Sequence, residues 1–224
     1  MNLNKHLEFL TPAEYGNQIH IIGVGAIGSR IAEQAVRLGF SNIVIYDFDT
    51  VDDYNVTNQV YTHEDIGKVK TTALMEYLKK INPEVEITAF GKYTRQPLAG
   101  AVFLCVDSIQ TRRKIVEDHF HNPNIDIMFD CRMRLTDAQA YAAIWDNEKQ
   151  KTNFLNSMNF TDEDANEATP VSVCGTTLSV MPTVVTIVSL TIANFINFIK
   201  TKTIKNVILA DPFACLLDAF TQKH

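Results

Sequence analysis

The sequence predicts an α/β fold with a doubly wound, mostly parallel sheet. Apolar strand-like segments alternate with helix-like segments as far as residue 145, and a glycine-rich turn joins the first strand to the first helix. The segment AVFLCV is apolar throughout, which is typical of a strand buried on both faces. With 224 residues, 46% of them hydrophobic, the chain is long enough to bury one sizeable core.

The predicted elements follow in order. Residues 1–17 form an N-terminal arm, because Thr11-Pro12 resembles a helix N-cap followed by proline, and such arms often pack on a partner subunit. Residues 18–224 form a single domain. Strands are expected at IHIIG, NIVIYDFD, VEITAF, AVFLCV, NIDIMFD, AQAYAAIW and TIKNVILA. Helices are expected at SRIAEQAVRLG, at 67–82 where Pro83 closes the helix, at SIQTRRKIVEDHF and from 178 onward.

Two stretches need separate interpretation. Residues 146–170 are polar and lose the alternating pattern, so they predict a surface loop within a crossover loop at about 146–177. Residues 178–199 are long and apolar enough to span a bilayer, and three lysines follow them. The run also carries several Ser, Thr and Asn residues, and a central helix of an α/β core can be apolar all round. We therefore expect a core helix and no membrane partner.

Charge and cysteine usage narrow the class of protein. A formal net charge of −6, without a basic cluster longer than Arg112-Arg113-Lys114, argues against a nucleic-acid partner. The four cysteines are widely spaced and form no CxxC pair, which predicts reduced thiols, a cytoplasmic location and no structural zinc. Cys105 and Cys131 lie in strand-like segments and are expected in the core. His63, His119 and His121 are expected at exposed loops or helix ends.

The glycine-rich turn predicts a Rossmann-like nucleotide site. Gly23 permits the tight turn, Gly25 lets backbone amides approach a phosphate, and Gly28 lets the helix pack on the strand. Asp47, at the end of the second strand, is placed to bind ribose hydroxyls. NAD, FAD and other nucleotides share this turn, so the residues that follow must decide between them.

Those residues favour ATP. Activation of a carboxylate by ATP needs cations on the phosphates and a metal ligand, and the candidates are Asp49, Asn55, Lys68, Lys70 and Asp107. Asp107 follows a buried strand at the sheet edge where ligands bind, which makes it the candidate Mg²⁺ ligand. Its alternative role is the N-cap of the next helix. For each lysine the alternative is a solvated first helical turn.

Five motifs in order, GVGAIGS, IVIYDFDTVDDYNVTNQ, DIGKVK, INPEVEI and VFLCVDSIQTRR, resemble the ThiF/MoeB/HesA superfamily, the adenylating fold of ubiquitin-activating enzymes. The resemblance covers about residues 19–113, with a weaker tail to 199. It implies a ubiquitin-activating-enzyme-type adenylation domain that uses ATP and Mg²⁺. The implied substrate is the C-terminal carboxylate of a small ubiquitin-like or sulfur-carrier protein ending in Gly, or of a peptide, which becomes an acyl-adenylate. A homodimer is also implied.

The resemblance assigns roles to individual residues. Asp47 holds the ribose, Asn55 and Lys70 contact phosphates, and Asp107 binds magnesium. The nucleotide-binding set is completed by Asp49, Asn58 and Gln59, and the catalytic set is Lys70, Asp107 and Cys174, the last in the crossover loop where family members form a thioester or persulfide. A small buried cysteine is the alternative for Cys174.

One position departs from the family pattern. The typical motif is N-x-x-R-Q, and this chain has Asn58 where the arginine binds phosphate, so that charge is missing. Bacterial relatives also bring an arginine from the partner's arm, whereas no arginine precedes Arg30 here. Arg112, Arg132 and Arg134 each follow a predicted strand end and are candidate replacements, with an ordinary surface arginine as the alternative.

The missing charge keeps two other functions open. One is a catalytically silent ATP-binding scaffold or heterodimer subunit of the same fold. The other is an NAD-dependent oxidoreductase that uses the same glycine turn, although it leaves Asn55, Lys70 and Asp107 without a role.

Overall fold

The computed structural model describes residues 1–172 and 178–221. Its strands are β1 Ile19–Ile22, β2 Asn42–Tyr46, β3 Glu86–Phe90, β4 Gly100–Leu104, β5 Ile125–Met133, β6 Ala138–Ile144, β7 Val207–Asp211 and β8 Leu216–Phe220. Its α-helices are α1 Ala26–Arg37, α2 Lys70–Ile81, α3 Ile109–Asp118, α4 Glu148–Asn156, α5 Asp162–Glu167 and α6 Met181–Thr201. Short 3₁₀ helices occupy Pro12–Glu14, Asp53–Thr57 and His63–Asp65.

All eight strands form one sheet in the order β3-β2-β1-β4-β5-β6-β7-β8. The pairs from β3 to β5 are parallel, and the pairs from β5 to β8 are antiparallel. The order reverses at β1, which lies between β2 and β4, and this places the carboxyl ends of these three strands at one edge. The predicted α/β class with a doubly wound, mostly parallel sheet is confirmed.

Some predicted boundaries were wrong at the ends of elements. The helix predicted at 67–82 begins at Lys70, because Gly67 has φ of 86° and its amide bonds the carbonyl of Val51 in a turn. The last predicted strand, TIKNVILA, begins only at Val207. The edge strand β8 was missed, because LLDAF is exposed along its whole length and does not alternate apolar and polar residues.

The core lies on both faces of the sheet. One cluster packs α1, α2 and α6 against it, and a second packs α3 and α4 on the opposite face. The long apolar helix α6 passes a length and composition test for crossing a membrane, but more than half of its apolar window is buried. Its buried side packs against α1, β5 and β6, as expected for a core helix.

The loop predicted at 146–170 was wrong, because this segment contains α4 and α5. Asn147 caps α4 by accepting a hydrogen bond from the Gln150 amide. The buried face of α4 includes Phe154 together with Lys151, whose ammonium donates to the Phe120 carbonyl at 3.0 Å. Because this buried lysine keeps a hydrogen-bond partner for its ammonium, the packing face of α4 contains a charged residue. That face therefore cannot be recognised from apolar periodicity in the sequence.

The arm packs on its own domain. Leu10 and Tyr15 are buried, and the Tyr15 hydroxyl donates to the Asp126 carboxylate at 2.9 Å. Asn17 donates to the same carboxylate at 2.8 Å. Within the described residues the arm therefore extends the core of this chain, and its contact with a partner subunit stays a prediction.

His20 on β1 makes stability depend on pH. Burial, reinforced by nearby His119, lowers the pKa of His20 from 6.5 to about 4. The unfolded chain then binds a proton that the folded chain excludes, so stability is full above pH 6.5 and falls towards pH 4. We expect a loss of at most about 1.4 kcal/mol per pH unit, measured by urea unfolding. His20→Gln should flatten this slope and His121→Gln, at an exposed site, should not; equal slopes for wild type and His20→Gln would contradict the assignment.

Candidate nucleotide site

The glycine turn lies at the carboxyl end of β1. Gly23 has φ of 92°, and a methyl group there would lie 2.8 Å from the backbone of Cys105 and Val106. A methyl group at Gly28 would lie 1.9 Å from the Gly23 carbonyl oxygen. At Gly25, the N-cap of α1, it would meet nothing within 4 Å, and no described side chain caps the helix. Gly23 and Gly28 therefore serve packing, while Gly25 leaves the helix N-terminus open to an anion.

Asp47 follows β2 and is fixed beside this turn. One carboxylate oxygen accepts the Val24 amide at 2.8 Å and the other accepts the Asp49 amide at 2.9 Å. Burial raises the pKa of Asp47, against the effect of these two hydrogen bonds. The carboxylate is therefore held rigidly at the mouth of the turn.

Of the two candidate lysines, only Lys70 contacts one of the acids at this end of β2, Asp49. It is buried at the start of α2, and its ammonium lies 3.0 Å from the carboxylate of Asp49. Lys68 instead bonds Glu76 and Asp65, each at 2.9 Å, and these contacts raise the pKa of Lys68 to about 12. Lys68 thus pairs with acids outside the group of Asp47, Asp49 and Lys70.

The 3₁₀ helix Asp53–Thr57 and the residues that follow it line the site. Asn55 is buried, and its side-chain oxygen accepts the Asp52 amide at 2.9 Å, which closes the helix start. Asn58 donates to the Ser179 hydroxyl just before α6, so it joins two distant parts of the chain. Gln59 is also buried, and its side-chain oxygen has no partner among the described residues.

Asp107 is exposed at the end of β4. Its alternative role as the N-cap of α3 is wrong, because Ser108 is the cap and accepts the Thr111 amide. A residue that the sequence did not indicate, Asp162 of α5, covers the same helix end: it accepts the Ser108 hydroxyl at 2.9 Å and the Ile109 amide at 2.5 Å. No local pattern reveals this contact, since Ser108 and Asp162 are 54 positions apart in the sequence.

The three candidate replacement arginines have other partners. Arg112 is buried and bonds the carboxylate of Asp130, which is fully buried. Arg132 bonds the other oxygen of Asp130 at 2.5 Å and the Ser157 carbonyl at 2.8 Å. Arg134 forms an exposed pair with Asp137. These contacts assign structural roles to all three.

The cysteines and histidines are placed as follows. Cys174 lies outside the described residues. Cys131 is fully buried on β5, as expected for a core residue, whereas Cys105 follows β4 and is only partly buried. Burial raises the pKa of both thiols. His63 and His121 are exposed as expected, but His119 is partly buried and shares a 2.6 Å hydrogen bond with the Tyr93 hydroxyl. No group of three potential metal ligands converges within the described ranges.

An open helix N-terminus beside an anchored acid, at the point where the strand order reverses in the parallel part of the sheet, is the arrangement that nucleotide-binding α/β domains use. Comparison with known proteins then gives the family. The family model described as ThiF matches residues 16–215, and the chain belongs to the ThiF family. The resemblance noted from the motifs is confirmed.

Individual relatives agree with this assignment. Ubiquitin-like modifier-activating enzyme 5 of Arabidopsis thaliana is 35% identical over 72 residues, which cover 32% of this chain and 17% of that protein. Solved structures of E. coli MccB are also similar. MccB with ATP gives a TM-score of 0.70 at 17% identity, over 93% of this chain and 64% of that one. MccB with MccA-N7isoASN gives 0.72 at 15% identity, over 93% and 65%.

At these identities the solved structures show the fold alone. The chain has the ubiquitin-activating-enzyme-like adenylation-domain fold of the ThiF family, and it spans less than two thirds of the length of these relatives.

Proposed function

We propose that this protein is an ATP-dependent adenylyltransferase. The observation that carries the proposal is the anchored carboxylate of Asp47, which accepts the Val24 and Asp49 amides beside the open N-terminus of α1. A fixed acid next to an anion-binding helix end suits a ribose joined to phosphates. The buried ammonium of Lys70 lies near the same residues and suits a phosphate contact.

The residues present also fit a magnesium ion. Mg²⁺ is usually bound by one or two carboxylates together with substrate phosphates, and Asp107 offers an exposed carboxylate at the sheet edge. When bound, the ion neutralises charge on the phosphates. Asp107 would hold the ion, and the amides of the glycine turn and Lys70 would orient the chain of phosphates.

The reaction balances without a general base. A carboxylate oxygen of the substrate attacks the α-phosphorus, the bond from that phosphorus to the bridging oxygen breaks, and pyrophosphate leaves with the electron pair. Positioning and charge stabilisation supply the catalysis.

For the carboxylate we propose a small ubiquitin-like or sulfur-carrier protein ending in Gly, or a peptide, which the names of the relatives support. A homodimer, a cytoplasmic location and a nucleophilic role for Cys174 belong to the same proposal.

The experiment uses calorimetry and isotope exchange. Asp47→Ala is expected to weaken ATP binding roughly 10-fold to 100-fold, because a hydrogen bond to a charged group contributes about 1.5–3 kcal/mol. Asp107→Asn is expected to spare ATP binding without Mg²⁺ and to slow exchange of labelled pyrophosphate into ATP on the order of 100-fold. The carboxylate supplied is a β-grasp protein that ends in Gly-Gly.

Asp53→Ala, at an exposed site two residues before Asn55, is the control and should keep wild-type affinity. Unchanged ATP affinity in Asp47→Ala, or a wild type that binds NAD and transfers hydride without exchange, would overturn the proposal.

A silent subunit is the second candidate. It is favoured by the contact between Asn58 and Ser179, which gives Asn58 a structural role, and by the lack of a positive charge on the Asn58 side chain. ATP binding in calorimetry, without exchange and with a homologous active partner co-purifying, would support this candidate over the enzyme.

A further inference from the structure

The described part of the candidate site carries little free positive charge. Asp47, Asp49 and Asp107 contribute three carboxylates, and Lys70 is already paired with Asp49. Mg-ATP remains a dianion, so close approach to this group is unfavourable without a further cation. Arg112, Arg132 and Arg134 are engaged elsewhere.

Arg30, in the second turn of α1, lies close enough to the helix N-terminus to supply that charge. It is partly exposed, on the same face as Ala26, the first residue of the helix, and one turn below it. One turn is about 5.4 Å, which an arginine side chain can span, and helical side chains lean towards the N-terminus. Its guanidinium also donates to the Gln59 carbonyl at 2.8 Å, beside Asn58.

The Arg30 side chain can change its orientation, because its ion-pair partner Glu33 has other hydrogen-bond donors. Its second terminal nitrogen lies 3.0 Å from a carboxylate oxygen of Glu33, and its Nε is buried without a partner among the described residues. Glu33 also accepts the Tyr77 hydroxyl at 2.8 Å and the Arg37 guanidinium at 3.0 Å. Burial alone would raise the pKa of Glu33, but the hydrogen bonds lower it. Glu33 therefore stays satisfied when Arg30 moves away.

We propose that Arg30 is the phosphate-binding arginine of this site. When Mg-ATP binds, its guanidinium turns from Glu33 towards the first turn of α1 and contacts the triphosphate, while its bond to the Gln59 carbonyl sets the direction. A guanidinium suits this role because it can form two parallel hydrogen bonds with phosphate. This inference rests on the proposed ATP site.

The test compares nucleotides that share adenosine but differ in phosphates. Calorimetry with Mg-ATP and with AMP is run on wild type, Arg30→Gln and Arg37→Gln. Arg37 is the matched control, because it pairs with the same Glu33 but lies two turns further along α1. Arg30→Gln is expected to weaken Mg-ATP binding about 10-fold or more while AMP affinity changes less than about twofold. Arg37→Gln is expected to change neither, and thermal unfolding confirms that each variant folds.

A rescue variant provides the second readout. Asn58→Arg, placed on the Arg30→Gln background, is expected to recover Mg-ATP affinity, because it returns a guanidinium beside Gln59. Equal Mg-ATP affinity in wild type and Arg30→Gln overturns the inference while leaving the ATP site intact, and so does a matching loss of AMP affinity. A wild type that binds neither nucleotide overturns the proposed function itself.

Discussion

Replacing Asp130 with alanine is expected to lower the free energy of unfolding by about 3–5 kcal/mol, because it leaves guanidinium groups buried without a counter-charge. The Asp130 side chain is fully buried and bonds both Arg112 and Arg132. The Arg112 guanidinium is buried as well, and it also donates to the carbonyls of Val106 and Cys131. Urea unfolding measures the loss.

The control for this variant is Asp137→Ala. Asp137 pairs with the half-exposed Arg134 at 2.7 Å, and such surface pairs contribute at most about 1 kcal/mol. Similar losses in the two variants would show that Asp130 does not hold a buried charge. Arg112 bonds the carbonyl of Val106, the residue before Asp107. We therefore also expect Asp130→Ala to shift the position of Asp107, although the two residues are far apart in the sequence.

Gly28→Val is expected to cost about 3 kcal/mol or more of stability and to abolish ATP binding. Even the first added carbon would lie 1.9 Å from the Gly23 oxygen and 3.2 Å from the Cys105 Cβ, so the turn and α1 must separate. Thermal unfolding and calorimetry with Mg-ATP report the two effects.

Gly25→Ala separates packing from binding. A methyl group at Gly25 meets no protein atom, so stability should change by about 1 kcal/mol or less, the usual cost of alanine at an N-cap. ATP affinity should still fall, because the methyl group occupies the approach of the phosphates to the helix amides. If Gly28→Val stays as stable as Gly25→Ala, the packing role of Gly28 is contradicted.

Local sequence patterns predicted the first half of the fold well. The turn from β1 into α1, the acid after β2 and the buried strand β4 each depend on residues close in sequence, where periodicity and glycine spacing are informative. The helix α4 was missed because its buried face includes Lys151, a residue that sequence patterns place outside the core. Its burial depends on the Phe120 carbonyl, 31 residues away.

The site was predictable only in part for the same reason. The glycines, Asp47 and Lys70 lie within short motifs, whereas the contacts of Arg30 with Gln59 and of Asp162 with Ser108 join residues 29 and 54 positions apart. Such pairs become visible only when the topology brings the elements together. The roles of Asp47, Lys70 and Asp107 in nucleotide binding stay predictions.

The pairing of β1 with β4 has a consequence for biosynthesis. Ile19 aligns with Ala101, and the backbone of Cys105 and Val106 lies directly against Gly23. A nascent polypeptide that has left the ribosome only as far as β3 therefore has the glycine turn but lacks the strand that supports it. Closing so long a loop is slow, because its entropy must be lost before the contacts form. The glycine turn consequently gains its supporting strand late in the maturation of this chain, and a cotranslational probe of the turn would report completion of the central sheet.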